Sequence, residues 1–223
     1  RFIGIDIFFD LMSKRKDVVN RNPGLMDITS LREWLKIEKK LGMPALEKYA
    51  GKVHDPLIDL VYCWSKKVNA DIEEMVYGMK PFPGVRETMK KINTFADSMV
   101  VSQTPIEALI REWRENKIHD LVDVIAGQEH GTKTEHIELA AKGKYSPDNI
   151  LVIGDSLGDM QAAKSNGAYF FPIYPGQEDD SWQRLYHEGL DRFYEGTYSG
   201  DYEKKLIAGF ESLLPEKPSW EEI

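Results

Sequence analysis

From Val85 onward, short and largely apolar runs alternate with segments of helical period, and few folds can absorb that alternation. The runs 98–102, 122–126, 150–154 and 168–173 read as strands. The stretches between and before them, 85–95, 105–116, 133–141 and 158–166, space their apolar residues every three or four positions and read as helices. A strand that is apolar at nearly every position has little face to offer to water. Such strands belong in a parallel sheet covered on both sides, so the expected fold class is α/β with a doubly wound, Rossmann-like sheet. One more run, Phe2-Ile3-Gly4-Ile5-Asp6, reads as a short buried strand ending in a carboxylate. Past residue 181, Trp182, Leu185, Tyr186, Leu190 and Phe193 fall at helical spacing, which predicts a helix or two packed on the sheet. Their aromatic rings are expected to serve the core rather than a ligand.

Residues 7–79 have a different character. Leu31, Trp34, Leu35, Ile37 and Leu41, followed by Leu57, Ile58, Leu60, Val61 and Trp64, carry helical periodicity with no strand pattern. Pro81-Phe82-Pro83-Gly84 then breaks the pattern, because two prolines and a glycine cannot continue a helix. The expected organisation is an α/β core from residues 1–6 and 80–223, with residues 7–79 forming a small all-helical domain inserted after the first strand. No internal repeat or low-complexity segment interrupts it.

Composition narrows the function. A chain of 223 residues, 42% hydrophobic and 30% charged, can bury one good core, or one core and a small satellite. Its net charge of -8 argues against a nucleic-acid partner, since phosphate backbones are bound through clustered Lys and Arg. A single phosphorylated metabolite remains compatible, because one Lys and one metal ion can supply positive charge locally. The lone Cys63 cannot form an intramolecular disulfide, and no Cys/His cluster has zinc-like spacing. No apolar run approaches the roughly 18 residues of a membrane span, and no secretory signal pattern opens the chain. The expectation is a cytoplasmic protein without a membrane partner. Arg1 is not an initiator Met, so the sequence is expected to begin inside a longer chain.

In open α/β sheets ligands bind beyond the carboxyl ends of the strands, which directs attention to the polar residues there. Four strand ends qualify: Asp6, Ser102-Gln103-Thr104, Gly127-Gln128-Glu129 and Asp155-Ser156. The strongest signal is Ile150-Leu151-Val152-Ile153-Gly154-Asp155-Ser156-Leu157-Gly158-Asp159, an apolar strand running into a glycine turn with two carboxylates four positions apart. Hard oxygen ligands on a tight turn suit Mg²⁺, which takes one or two carboxylates and keeps waters for a substrate phosphate. Asp159 has an ordinary alternative use as a cap of the helix beginning near Gly158; that use leaves Asp155 unexplained. Lys133, 22 positions before Asp155, opens a helix from which its ammonium could reach a phosphoryl group or a nucleophilic carboxylate, although a lone Lys is more often a solvated charge. Ser102 could hold phosphoryl oxygens with its hydroxyl and the backbone N–H groups of Gln103 and Thr104, or merely cap the helix after Pro105. Asp6 alone could likewise be a cap or a salt-bridge partner.

Taken together and in order, Phe2 to Asp6, Met99 to Ser102, Lys133, and Gly154 to Asp159 resemble the four motifs of the haloacid dehalogenase (HAD) superfamily, in its phosphatase-like branch. The helical segment before Pro81-Phe82-Pro83-Gly84 resembles that family's α-helical cap. The resemblance implies a Mg²⁺-dependent phosphomonoester hydrolase acting in two steps. Asp6 would attack phosphorus to give an aspartyl-phosphate that water hydrolyses, with Asp6, Asp155 and Asp159 around the metal. Ser102, Gln103, Thr104 and Lys133 would bind the phosphate, and the cap would close over the site. The substrate class implied is a small phosphorylated metabolite, such as a sugar phosphate or a phosphoglycolate-like acid.

One position departs from the family. Its phosphatases carry a second Asp two residues after the nucleophile as general acid, whereas Phe8 stands here and cannot donate a proton. Asp10 lies four positions on, in the segment Ile7-Phe8-Phe9-Asp10-Leu11-Met12. An amphipathic run that starts immediately after Asp6, with no Gly, Pro or Ser to turn the chain, predicts that Asp6 and Ile7 are not covalent neighbours. If they are, the chain is expected to be a degenerate metal- and phosphate-binding protein. A dehalogenase, which shares the Asp nucleophile without magnesium, is disfavoured by the Asp155/Asp159 pair. The response-regulator fold also has an Asp phosphoacceptor and magnesium, but no helical cap interrupts it.

Overall fold

The computed structural model describes residues 1–21, 24–39, 41–75 and 77–215, which divide into two compact units, Arg1–Tyr77 and Gly78–Ile223. The first unit is helical: α1 (Phe2–Lys14), α2 (Lys16–Arg21), α3 (Thr29–Ile37), α4 (Met43–Val53) and α5 (Pro56–Met75). Its core gathers Phe2, Ile28, Leu31, Trp34, Leu46, Ala50, Ile58 and Val61, with Leu35, Leu41 and Leu57 packed against it. Phe2 meets Trp34 edge to face at 5.1 Å between ring centres. Of the apolar positions read as helical from sequence, Ile37, Leu60 and Trp64 lie on exposed faces instead.

Residues 2–6 are helical, which corrects the expected strand. The run Phe2-Ile3-Gly4-Ile5 is too short to fix its own period; extended through Phe9 it carries Phe2, Ile5 and Phe9 at i, i+3 and i+7, the stripe of one helix face. Those three side chains enter the helical core, and Ile5 N donates to Arg1 O at 3.1 Å as α1 begins. The helix runs unbroken through Asp6 and Ile7, so the two are covalent neighbours and the expected break between them is absent. Residues 1–6 accordingly belong to the helical unit and not to the α/β core.

The second unit follows the predicted alternation closely: α6 (Val85–Ile92), β1 (Met99–Val101), α7 (Ile106–Glu115), β2 (Val124–Ala126), α8 (Lys133–Ala141), β3 (Leu151–Gly154), α9 (Leu157–Ser165) and β4 (Tyr169–Pro172). Helices α10 (Glu178–Arg184), α11 (Leu190–Tyr194) and α12 (Asp201–Ser212) complete it, with one π-helical turn, Leu185–Gly189, between α10 and α11. Both strand pairings are parallel, β1 with β2 (Met99 opposite Val124) and β3 with β4 (Leu151 opposite Tyr169). Among the described residues they form two separate two-stranded sheets rather than one doubly wound sheet. Losing Phe2–Asp6 to a helix removes one strand from the expected set.

Burial is uneven across the sheets. The residues of β1 and β3 are half-buried, while Phe170 and Phe171 of β4 are enclosed by the C-terminal helices. Leu185, Leu190, Tyr198 and Leu206 pack with Phe171, and Trp182 and Phe193 lie alongside, the core role expected of the tail aromatics. Lys91 accounts for the remaining member of that stripe, placing its ammonium 5.1 Å above the Tyr186 ring. No helix among the described residues is long and apolar enough to cross a membrane.

Asp55 begins α5 by accepting from the backbone N–H groups of Leu57 and Ile58 through one oxygen and from the Ser30 hydroxyl through the other. The Ser30 hydroxyl, and then the Ile58 amide, hold its carboxyl below the ordinary value of 3.8. A folded-state pKa below the unfolded one contributes stability that is complete above the unfolded value and lost as pH falls through the folded one. In urea unfolding, the gap between the parent chain and Asp55→Ala is therefore expected to be widest near neutrality and to shrink as pH drops below the carboxylate range.

Candidate active site

The turn after β3 is built by its own sequence. Ser156 begins α9, and Asp159 closes a reciprocal capping box with it: Asp159 N donates to Ser156 Oγ, and Ser156 N donates to Asp159 Oδ2 at 3.2 Å. The Ser156 hydroxyl adds a 2.6 Å bond to the same Oδ2. The other carboxylate oxygen, Oδ1, receives Lys133 Nζ at 2.5 Å. Both oxygens of Asp159 are thus engaged, and its side chain is only 8% exposed. Burying that charge is tolerated because it is paired and hydrogen-bonded on every side the geometry offers.

Lys133 reaches this position because α8 starts with a second capping box, Thr132 with Glu135, which fixes Lys133 as the first helical residue. Its ammonium crosses from the start of α8 to the start of α9. It is not a solvated surface charge. Gly154 makes the approach possible: a Cβ there would lie 2.4 Å from both Cβ and Cγ of Asp159. Asp155, next in the chain, is exposed, and among the described residues no hydrogen-bond or ion-pair partner is seen for its carboxylate.

Ser102 follows β1 directly, and its N–H continues the β1–β2 pairing by donating to Ala126 O at 3.0 Å. Its hydroxyl oxygen accepts from Thr104 N at 3.1 Å, so it shapes its own loop; α7 begins at Pro105 without a side-chain cap, which excludes the capping role considered for Ser102. Gln103 spends its amide nitrogen on Gly131 O at 3.1 Å. Thr104 contributes its carbonyl to Gln128 N at 3.1 Å. Asp6 is placed differently from the other candidates. It lies mid-helix in α1 of the helical unit, with Oδ1 2.5 Å from Arg32 Nε, where the sequence reading put it at a strand end. The exposed Phe8 lies on the same helix, so its comparison with a general-acid position loses its premise.

The described residues contain no group of three or more His, Cys, Asp or Glu side chains that could hold a metal. With Asp159 committed to Lys133 and Ser156, the free donor at this edge is the Asp155 carboxylate. One or two carboxylates with waters and a substrate phosphate is the donor set Mg²⁺ accepts, and it is too sparse and too hard for zinc. Ser156, a strand-end residue in the sequence, enters the site as the capping partner of Asp159, and Ser-x-x-Asp ahead of a helical run is a legible capping signature.

A sequence model of the haloacid dehalogenase-like hydrolases matches residues 36–173, a span that holds Ser102, Lys133, Asp155 and Asp159 and leaves Asp6 outside. The chain belongs to this family. No curated protein and no solved structure matches it. As a HAD-type hydrolase it presents a lysine and a glycine-turn carboxylate pair at one edge of the α/β unit.

Two substitutions test this geometry by stability. Gly154→Ala should displace Asp159 and cost about 1–3 kcal/mol, as overpacking does. Lys133→Ala should cost about 2–3 kcal/mol, somewhat less than breaking a fully buried pair, because the Lys133 side chain keeps 27% exposure. Urea unfolding of each variant against the parent chain measures both, and losses within a few tenths of a kcal/mol would remove the pair from the structural account.

Proposed function

We propose that the chain is a Mg²⁺-dependent phosphohydrolase of the HAD type acting on a small phosphomonoester, with Ser102, Lys133 and Asp155 as its phosphate- and metal-binding groups. The Lys133–Asp159 contact carries this reading, because it holds a cation against the turn that follows β3, where the Asp155 carboxylate is uncommitted. In the reaction the Ser102 hydroxyl and the Gln103 N–H would hold phosphoryl oxygens, the Thr104 N–H being given to Ser102 Oγ, and Lys133 would offset the charge of an approaching anion. Asp155 would hold Mg²⁺, which supplies charge neutralisation for phosphoryl transfer when bound. Asp159 would act on Lys133 rather than on the metal. Residues 1–77 would serve as the cap that selects the leaving group. A cytoplasmic setting goes with this reading, since the exposed Cys63 is a free thiol.

The attacking carboxylate is not assigned to Asp6, which sits within a helix and is ion-paired to Arg32. That observation favours a second reading, a HAD-fold protein that binds metal and phosphate without turnover. The uncommitted Asp155 favours either of these over a dehalogenase, whose chemistry needs no metal.

Charge makes the dependence on the metal testable. Lys133 with Asp155 and Asp159 sums to one net negative charge, in a chain whose overall charge is -8. A phosphate dianion is repelled by such a site unless a divalent cation reverses the sign. Inorganic phosphate is therefore expected to bind by calorimetry only when Mg²⁺ is present, and Asp155→Asn should abolish Mg²⁺-induced thermal stabilisation. A panel of phosphomonoesters assayed with Mg²⁺ separates the readings, since turnover supports the hydrolase and binding without turnover supports the second. Phosphate binding of equal strength with and without Mg²⁺ would overturn both.

A further inference from the structure

Gly127-Gln128-Glu129, the polar end of β2, takes no part in the proposed chemistry, yet the loop it opens, through Gly131, is tied to the neighbouring loop at three points. Gln128 N donates to Thr104 O at 3.1 Å, Gly131 O accepts from the Gln103 amide at 3.1 Å, and Glu129 Oε2 accepts from Ile106 N at 3.1 Å. The last bond is the unusual one. Helix α7 starts after Pro105 with no side-chain cap from its own sequence, and Glu129, 23 residues away along the chain, supplies the acceptor for its first N–H. Gly127 leaves no slack in this joint, since a Cβ there would lie 2.7 Å from Ile106 N and 2.8 Å from Glu129 Oε2.

The two loops tied together are those that carry the proposed phosphate groups. One is Ser102-Gln103-Thr104. The other passes through Gly131 and the Thr132 capping box into Lys133. We propose that Glu129 is a positioning residue, whose carboxylate on the start of α7 locks the Ser102 loop against the approach to Lys133 and so fixes the spacing at which the two meet a phosphoryl group. The inference rests on the reading of Ser102 and Lys133 as phosphate-binding groups. Glu129 itself touches no ligand. Its effect is on geometry, and it is separate from the metal carboxylate Asp155.

The test uses the full chain with Mg²⁺ alone and with Mg²⁺ plus inorganic phosphate, both by calorimetry, on Glu129→Ala and Glu129→Gln. Glu129→Ala is expected to weaken phosphate binding about tenfold, the scale of one misplaced hydrogen bond to a charged ligand, while leaving Mg²⁺ affinity unchanged. Glu129→Gln, whose amide oxygen can still accept from Ile106 N, should recover most of that loss. A general loosening of the fold would instead lower Mg²⁺ and phosphate affinity together in both variants, and that result overturns the proposal. So does wild-type phosphate affinity in Glu129→Ala when Ser102→Ala loses binding. If the parent chain binds no phosphate, or if Ser102→Ala and Lys133→Ala bind as it does, the underlying reading of the site fails and the inference falls with it.

Discussion

The contact between Lys133 and Asp159 organises the edge of the α/β unit. It joins the first residue of α8 to the first turn of α9, two helices that follow different strands, and it does so through a carboxylate whose second oxygen is already held by Ser156. A salt bridge between exposed side chains contributes little, but this one cannot open without stranding a nearly buried charge. Gly154 is constrained by it, because the strand can approach Asp159 so closely only without a side chain. Asp155 is left facing outward by the same turn. The arrangement thus separates two acids four positions apart, one fixing the Lys133 ammonium and the other left exposed without a partner among the described residues.

Much of the second unit was legible because its signals are local and mutually consistent. The apolar run 150–154 ends in a Gly-Asp turn and is followed by a helical period, which marks it as a strand, although β3 is only half-buried where full cover was expected. The observed strands are shorter than the apolar runs by one residue or more at most ends; in the run 98–102, for example, only Met99–Val101 pairs along its length. Ser98 and Ser102 lie just beyond it, and their backbone groups still bond across to β2. The same holds at Ile150 and Ile173, which bond across to Tyr169 and Gly154 from just outside the strands, so the trimming leaves the order of elements intact. What the runs do not encode is which strand lies next to which. Pairing is decided by contacts between distant segments, and a sheet divided into two pairs looks the same in sequence as a continuous one.

The misreading of Phe2–Asp6 has a specific cause. Four apolar or small residues followed by an acid satisfy a buried strand and one turn of a buried helix equally well, and only the continuation discriminates. Phe9, one further turn along, belongs to the same face as Phe2 and Ile5, and Trp34 offers a ring for Phe2 to pack against. The resemblance to a family motif weighed the short run too heavily, since a strand-end Asp is a weak pattern by itself. The abrupt start of an amphipathic run after Asp6 was a valid anomaly. Its resolution is that the helix had begun five residues earlier, and no break in the chain is needed.

Asp159 also shows why an ordinary structural role and a functional one should not be treated as exclusive. Its use as a helix cap is correct, as the reciprocal bonds with Ser156 demonstrate. Capping is what orients the carboxylate so that Oδ1 is presented to Lys133, and a carboxylate free to rotate would lose entropy on every encounter with that ammonium. Thr132 does the same for Lys133 by fixing the residue at which α8 begins. In both loops the local hydrogen bonds settle the conformation first, and the long-range pair then forms between groups already aimed. A pair assembled in this way is held in place without being deeply buried, which suits the proposed role of this edge in meeting an anion and a divalent cation.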